Sequence, residues 1–274
     1  MPKRLLAGKR ILITGASMGI GYALAVAAAK RGAKVIAVAR TVGLLDTLAR
    51  QVQAAGGQID TLAVDVTNPT DRQSLLEFVQ TRHDGLDIMV NNAGVGATGH
   101  FMEVDDSVLR EIFEVNFFGA LELTRLCLPL LARGQQPLLV NISSILGRRA
   151  YPARSCYSAS KFALAGWSDA VRAELSPYGV GVLVVNPGLT VTNFSANLKA
   201  RSARLAMDQL RGMSADDVAE ATLKAMEADK AEISLTLQGK LLVLVNRFVP
   251  WFFEWRAKKT MRKLFADDLP MKPH

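Results

Sequence analysis

The pattern Tyr157-Ser158-Ala159-Ser160-Lys161 sets a phenol and an ammonium four residues apart. On a helix, that spacing puts both on one face, one turn apart. A free tyrosine titrates near about 10 and is a poor base at neutral pH, but a nearby cation favours the phenolate and lowers that value. The pair is suited to proton transfer. Taken alone, such a pair more often marks a surface helix face, so its company decides. Asn141-Ile142-Ser143-Ser144 closes an apolar run, with Ser144 thirteen residues before Tyr157. Asn91-Asn92-Ala93-Gly94 closes an earlier run, and Asn116 sits within Glu114-Val115-Asn116-Phe117-Phe118-Gly119.

A second chemistry-bearing stretch lies near the N-terminus. Thr14-Gly15-Ala16-Ser17-Met18-Gly19-Ile20-Gly21 follows apolar Ile11-Leu12-Ile13 and precedes an Ala-rich helical pattern over Tyr22–Lys30. Glycines there let the backbone approach a pyrophosphate, whose charge is met by the unpaired N–H groups of a helix start. The next apolar run ends Val38-Ala39-Arg40-Thr41, without the acidic residue that holds a ribose 2′-hydroxyl and repels a 2′-phosphate. A guanidinium meets a phosphate with paired hydrogen bonds, so Arg40, helped by Ser17 and Thr41, points to NADP(H). A solvated arginine at a strand end is the plain alternative, and the missing acid is the stronger half of the argument.

Both stretches need a scaffold. Apolar runs that mostly lack polar alternation occupy Arg10–Thr14, Lys34–Ala39, Gln58–Val64, Ile88–Val90, Leu138–Ile142 and Gly181–Val185, as strands buried on both faces should. Helical spacing fills Gly21–Arg31, Gly43–Ala55, Thr70–Thr81, Ser107–Arg133 and Ser155–Ser176. This alternation predicts an α/β fold: one Rossmann-like domain, a doubly wound parallel sheet with helices on both faces. The domain is expected over residues 1–239, including a substrate lid at 193–213, followed by an apolar and basic tail at 240–274. Glu232–Leu237 is a candidate last strand.

The loop Thr14–Gly21, Asn91–Gly94, Asn116, Ser144 and the Tyr157/Lys161 pair together resemble the short-chain dehydrogenase/reductase family in order and approximate spacing, over roughly Gly8 to Thr192. The resemblance implies that Tyr157 exchanges a proton with the substrate oxygen. It further implies that Lys161 holds the nicotinamide ribose and tunes the phenol, that Ser144 hydrogen-bonds the reacting oxygen, and that Asn116 supports a water relay to Lys161. It assigns the cofactor to Gly15, Ser17, Gly19, Ile20 and Gly21 of the loop, with Asp65 and Val66 at the adenine edge. Asn92, Ala93 and Gly94 are placed near the central ribose, and Pro187, Gly188, Leu189 and Thr192 near the nicotinamide carboxamide. Ser143 is read as a secondary contact, and Tyr151 and Tyr178 as packing or substrate-lining residues. The resemblance also implies pairing of Ser107–Arg133 and Ser155–Ser176 with a symmetry mate, as a homodimer or homotetramer.

Composition narrows the partners. Lys and Arg number 33 against 25 Asp and Glu, a net charge of +8, and half the residues are hydrophobic. The basic residues gather at Lys199–Arg211 and Arg256–Lys263 without an interleaved nucleic-acid motif, so no nucleic-acid partner is expected. Cys127 and Cys156 have no metal or disulfide spacing, and His83, His100 and His274 match no metal pattern, so no metal is expected. The absence of a signal-like apolar core near the start points to the cytoplasm. In the tail, Leu241, Val245, Phe248 and Phe252 share a helical face ahead of an Arg/Lys cluster, and Pro250 interrupts the run. It admits two readings: packing on the core or a second subunit, which is favoured, or peripheral membrane contact through residues 240–263 on the cytoplasmic side. The expected function is interconversion of a carbonyl and a secondary alcohol, on a hydrophobic ketone, acyl-chain or steroid-like substrate. A nucleotide-binding regulatory or scaffold protein of the same fold is the alternative, which would be expected to lack Tyr157, Lys161 or Ser144.

Overall fold

The computed structural model describes residues 4–192, 194, 198–199, 212–236, 239, 241, 245 and 248–265. In chain order the elements are β1 (Arg10–Thr14), α1 (Gly19–Lys30), β2 (Lys34–Ala39), α2 (Val42–Ala54), β3 (Gln58–Ala63), α3 (Pro69–His83), β4 (Ile88–Asn91), α4 (Asp106–Phe113), α5 (Gly119–Leu131), β5 (Leu138–Ile142), α6 (Ser155–Glu174) and β6 (Gly181–Asn186). Then come β7 (Thr190–Val191), β8 (Met213–Ser214), α7 (Ala215–Glu227), β9 (Glu232–Ser234) and α8 (Pro250–Phe265). Seven strands form one parallel sheet in the order β3-β2-β1-β4-β5-β6-β9, while β7 and β8 pair separately. The chain reverses direction across the sheet between β1 and β4, the kind of switch point where α/β folds open a crevice.

Successive side chains of a strand point to opposite faces, and here both faces are covered. Ile11, Ile13, Val35, Val140 and Leu183 pack with α1, α2 and α7, whereas Leu12, Ile36, Met89, Leu139 and Val182 pack with α3, α5 and α6. The alanines of α1 keep that helix close to the sheet: Ala25 and Ala28 are fully buried.

The expected doubly wound sheet is therefore present, and the strands begin where the apolar runs begin. Two elements differ. Ser107–Arg133 is not one helix, because a π-helical turn over Glu114–Phe118 separates α4 from α5. Its cause is tertiary: Asn116, at its centre, bonds Val95 and Ser160 rather than facing its own helix. The last strand stops at Ser234 instead of Leu237. Of the expected lid at 193–213, only Phe194, Leu198, Lys199, Gly212 and Met213 lie among the described residues.

At the carboxyl edge of the sheet, buried amides join strands to helices. Asn91 Nδ2 donates to Asn141 Oδ1 and to Thr124 Oγ1, both at 2.9 Å, and Asn141 Nδ2 donates to Ser168 Oγ at 2.8 Å. These pairs fix α5 and α6 against the ends of β4 and β5.

Candidate active site

A cavity of about 1390 Å³ opens along that edge. Each of the seven strands supplies a lining residue just past its end: Gly15, Arg40, Asp65, Asn92, Ser143, Pro187 and Leu235. At one end lie Arg40 and Thr41, both exposed, beside Ala39. At the other lie Ser144, Tyr157 and Lys161.

The glycine loop is held by backbone contacts that no larger residue permits. Gly15 and Gly19 have φ of +65° and +58°, the left-handed region that other residues avoid. Asn92 Nδ2 donates to the carbonyls of Thr14 and Gly15 at 2.9 and 3.1 Å, and Thr14 Oγ1 accepts from the N–H groups of Asn92 and Ala93 at 3.0 Å. The loop after β1 and the loop after β4 are thus one unit. Gly21 corrects the expectation from sequence: it is buried and is not among the cavity-lining residues. A Cβ there would lie 2.4 Å from both Asn92 Nδ2 and the Gly15 carbonyl. Its observed contacts are those of close packing of α1 beneath the loop.

The Ser144 hydroxyl lies near enough to the Tyr157 phenol to favour its ionised form. Ser144 sits at the start of a short 3₁₀ turn, Ile145–Gly147, where its Oγ also accepts from Leu146 N–H at 3.1 Å. Lys161 Nζ donates to the Ile142 carbonyl at 2.9 Å and stands 5.9 Å from the Tyr157 ring centre. Ser143 Oγ donates to the Lys161 carbonyl at 3.3 Å, the secondary contact expected of it, although it too lines the cavity. The Phe194 ring lies 5.7 Å from the Tyr157 ring. All five described residues of the 193–213 stretch line the cavity.

The electrostatics differ from the expectation in one respect. Burial raises the Tyr157 phenol above its ordinary value, and the Ser144 hydroxyl and the Arg154 charge oppose this without reversing it. Burial also destabilises the Lys161 ammonium, lowering its pKa to about 8. A protonated phenol and a mostly protonated ammonium coexist at neutral pH.

Asn116 is buried outside the lining, with Oδ1 accepting from Val95 N–H at 2.8 Å and Nδ2 donating to the Val95 carbonyl and Ser160 Oγ, both at 2.9 Å. A Cβ on Gly94 would lie 3.2 Å from Asn116 Oδ1 and 3.6 Å from Lys161 Nζ, so Asn116 reaches the site by shaping the segment over Lys161. The remaining candidates all line the cavity: Gly15, Ser17, Gly19, Ile20, Arg40, Thr41, Asp65, Val66, Asn92, Ala93, Gly94, Pro187, Gly188, Leu189 and Thr192. Asp65 Oδ1 accepts from the Thr67 N–H at 2.9 Å and its hydroxyl at 2.7 Å, which fixes the turn after β3. Tyr151 lines the cavity, and Tyr178 is exposed elsewhere. Sequence reasoning missed Arg154 and Thr14. Thr14 could have been read as the polar residue ending an apolar strand, but nothing in the local sequence marks Arg154.

The fit to a dinucleotide rests on these observations: an elongated cleft, a glycine cradle at its middle, a cation at one end and an acid/base pair at the other. Comparison with known proteins agrees. Residues 9–203 match the family model described as short chain dehydrogenase. The ketoacyl reductase HetN of Nostoc sp. is 36% identical, over 89% of this chain and 86% of its own. A short-chain dehydrogenase/reductase from Burkholderia phymatum, solved in complex with NAD, shares the fold with a TM-score of 0.83 at 23% identity, covering 99% of each chain. An alcohol dehydrogenase from the archaeon Thermococcus sibiricus, complexed with 5-hydroxy-NADP, has a TM-score of 0.74 at 25% identity, over 83% of this chain and 95% of that one.

The glycine packing is open to a direct check. Gly21→Ala is expected to lower the unfolding free energy by about 1–3 kcal/mol through overpacking, read from the urea midpoint. Gly43→Ala, in α2 with nothing within 4 Å of the added carbon, is expected to leave stability equal or slightly higher; equal midpoints for the two variants would refute the close contact.

Proposed function

The chain belongs to the short-chain dehydrogenase/reductase family of oxidoreductases, and from that premise we propose an NADP(H)-dependent enzyme that interconverts a carbonyl and a secondary alcohol. The observation that carries this reading is that Tyr157, Ser144 and Lys161 line one cavity with the glycine loop. When bound, the nicotinamide supplies or accepts the hydride. Tyr157 Oη donates a proton to the substrate oxygen in reduction and removes it in oxidation, while Ser144 Oγ hydrogen-bonds the same oxygen. Lys161 holds the cofactor ribose and, as a buried cation, favours the phenolate that remains after proton donation. Asn116 keeps the Val95 segment in place above it, the positioning part of any relay to Lys161.

Arg40 and the absent acid after β2 support NADP(H). The Burkholderia protein holds NAD and the Thermococcus enzyme an NADP derivative, so the fold accepts either and the residues at this strand end decide. The substrate side supports a hydrophobic ketone, acyl-chain or steroid-like substrate, since Ile145, Leu146, Phe194, Leu198, Met213 and Leu235 line it. Exposed Phe118 and Phe162 support a homodimer or homotetramer paired through the α5 and α6 side of the molecule.

The tail from residue 240 onward is read as a segment with its own task on the cytoplasmic side. No described helix is long and apolar enough to cross a membrane. In and just before α8, however, Phe248, Trp251 and Trp255 are exposed by 73%, 66% and 57%, which is a poor fit to packing on the chain's own core. Exposed Arg256, Lys258, Lys259 and Arg262 follow. Aromatic residues beside a cationic cluster suit a helix lying in an anionic lipid surface.

Three outcomes are expected. In an NADPH absorbance assay against ketones, oxoacyl thioesters and steroids, Tyr157→Phe loses about a hundredfold or more of kcat while still binding NADPH; normal turnover in that variant would remove the mechanism. Arg40→Asp shifts the kcat/KM preference from NADPH towards NADH by at least about tenfold, and an unmoved preference would return Arg40 to plain solvation. In flotation with phosphatidylserine-containing vesicles, the full chain rises with the lipid and a chain ending at Gly239 stays behind; equal behaviour would sink the membrane reading.

A further inference from the structure

Two charged lining residues, Arg154 and Lys199, have no part in the chemistry just described, and Lys199 is paired with Glu111 at 2.6 Å. Arg154 immediately precedes α6, three residues before Tyr157, and lines the cavity beside it. Its Nε is buried without a hydrogen-bond partner, and its guanidinium makes no ion pair among the described residues. Its neighbours in sequence and fold are different: Arg148 is tied to Asp169 at 2.8 Å and to Glu232 at 2.9 Å, and Arg172 to Asp169 at 3.1 Å.

Local physics argues against an arginine here. A half-buried guanidinium without a partner loses hydration and gains nothing in return. It also stands at the positive end of α6, where the helix dipole disfavours a cation and where the first turn has no acidic residue to offset it. The residue before it, Ala153, is held in the left-handed region at φ +58°. That bend is pinned by Gly99 N–H donating to the Ala153 carbonyl at 2.9 Å and by Arg154 N–H donating to the Tyr151 carbonyl at 3.2 Å. Strain, burial and unfavourable charge at one point, with no compensation from the chain, are expected where a ligand supplies the missing partner.

The missing partner has a definite chemistry. Asp65 is the only carboxylate among the described lining residues, and it belongs to the β3 end of the cavity. The Tyr157 end of the cavity also carries apolar Ile145, Leu146 and Phe194, the last with its ring 5.7 Å from that of Tyr157. A guanidinium fork in apolar surroundings pairs best with a planar anion through two parallel hydrogen bonds. We propose that Arg154 receives a carboxylate carried by the substrate, so that the preferred substrates are oxo acids with an apolar body rather than neutral ketones. The proposal rests on the carbonyl-reductase reading for the position of the carbonyl at Tyr157, but anion recognition can be tested apart from turnover.

The test compares α-oxo, γ-oxo and ε-oxo octanoates with their methyl esters, using NADPH. At one or more of these separations, the wild-type protein is expected to favour acid over ester by at least about tenfold in kcat/KM. In Arg154→Met the acid-to-ester ratio falls to near one, and in Arg154→Lys, which keeps the charge without the fork, it lies between. In parallel, calorimetry on the protein with NADP+ compares octanoate with 1-octanol. The wild-type chain is expected to bind octanoate more tightly and Arg154→Met to lose the difference. A wild-type ratio near one at all three separations, or a ratio that survives in Arg154→Met, overturns the proposal and leaves the carbonyl-reductase reading standing. Arg154 acting only by tuning Tyr157 gives that surviving ratio, because acid and ester then lose turnover together. Should no ketone turn over, an Arg154-dependent octanoate preference upholds the anion site while the reductase reading fails, and no such preference overturns both.

Discussion

A parallel sheet covered by helices on both faces leaves polar chemistry only one place to go. The middle of every central strand is closed: Ile11, Leu12 and Ile13 are fully buried, as are Val90, Val140 and Leu183. Any group that must meet a ligand has to sit beyond a strand's carboxyl end, where side chains and loops turn outward. Each of the seven strands delivers a residue to the same cavity for this reason. At the same edge the amide groups of Asn91 and Asn141 donate to Thr124 and Ser168. That arrangement ties α6, which carries Tyr157 and Lys161, to the ends of β4 and β5.

A second consequence concerns the loops. The glycine turn after β1 owes its shape to Asn92, which holds the carbonyls of Thr14 and Gly15, and to Thr14 Oγ1, which holds the next loop. Close approach is possible only because Gly15 and Gly21 lack side chains at the contact. Rigid coupling of this kind sets the distance between the dinucleotide cradle and the Tyr157 end without any flexible element between them.

Much of this was legible in the sequence because it depends on local pattern. Runs such as Leu138–Ile142 have to be buried strands, and a glycine-rich turn between strand and helix has few other uses. Positions that depend on tertiary contacts were not legible. Nothing in Ser107–Arg133 announces the π-turn, which exists because Asn116 reaches Val95 and Ser160. Gly21 reads as a ligand contact from its motif, yet its neighbours across the fold make it a packing residue. The four-residue spacing of Tyr157 and Lys161 correctly placed both on one helix face, but spacing says nothing of the Ile142 carbonyl that draws the ammonium aside. Arg154 looks like any solvated arginine before a helix until its burial is seen.

The raised value of the Tyr157 phenol bears on how the site works. A phenol held protonated at neutral pH is ready to donate, which is the state needed to reduce a carbonyl, whereas oxidation must first remove that proton. Donation leaves a buried phenolate, and in low-dielectric surroundings such an anion is costly unless a cation faces it. Lys161 and Arg154 are cations of this cavity, and the charge of Arg154 already acts on the phenol. A substrate carboxylate paired with Arg154 would neutralise much of that field. Proton donation from Tyr157 would then lean on Lys161 and on the Ser144 hydroxyl, so the charge that selects the substrate and the charge that eases the proton transfer are in part the same charge. A neutral ketone leaves Arg154 free to stabilise the phenolate but fails to satisfy the guanidinium. An oxo acid would satisfy it and give up part of that stabilisation, and on the proposed reading the balance of these opposed effects would set the substrate preference.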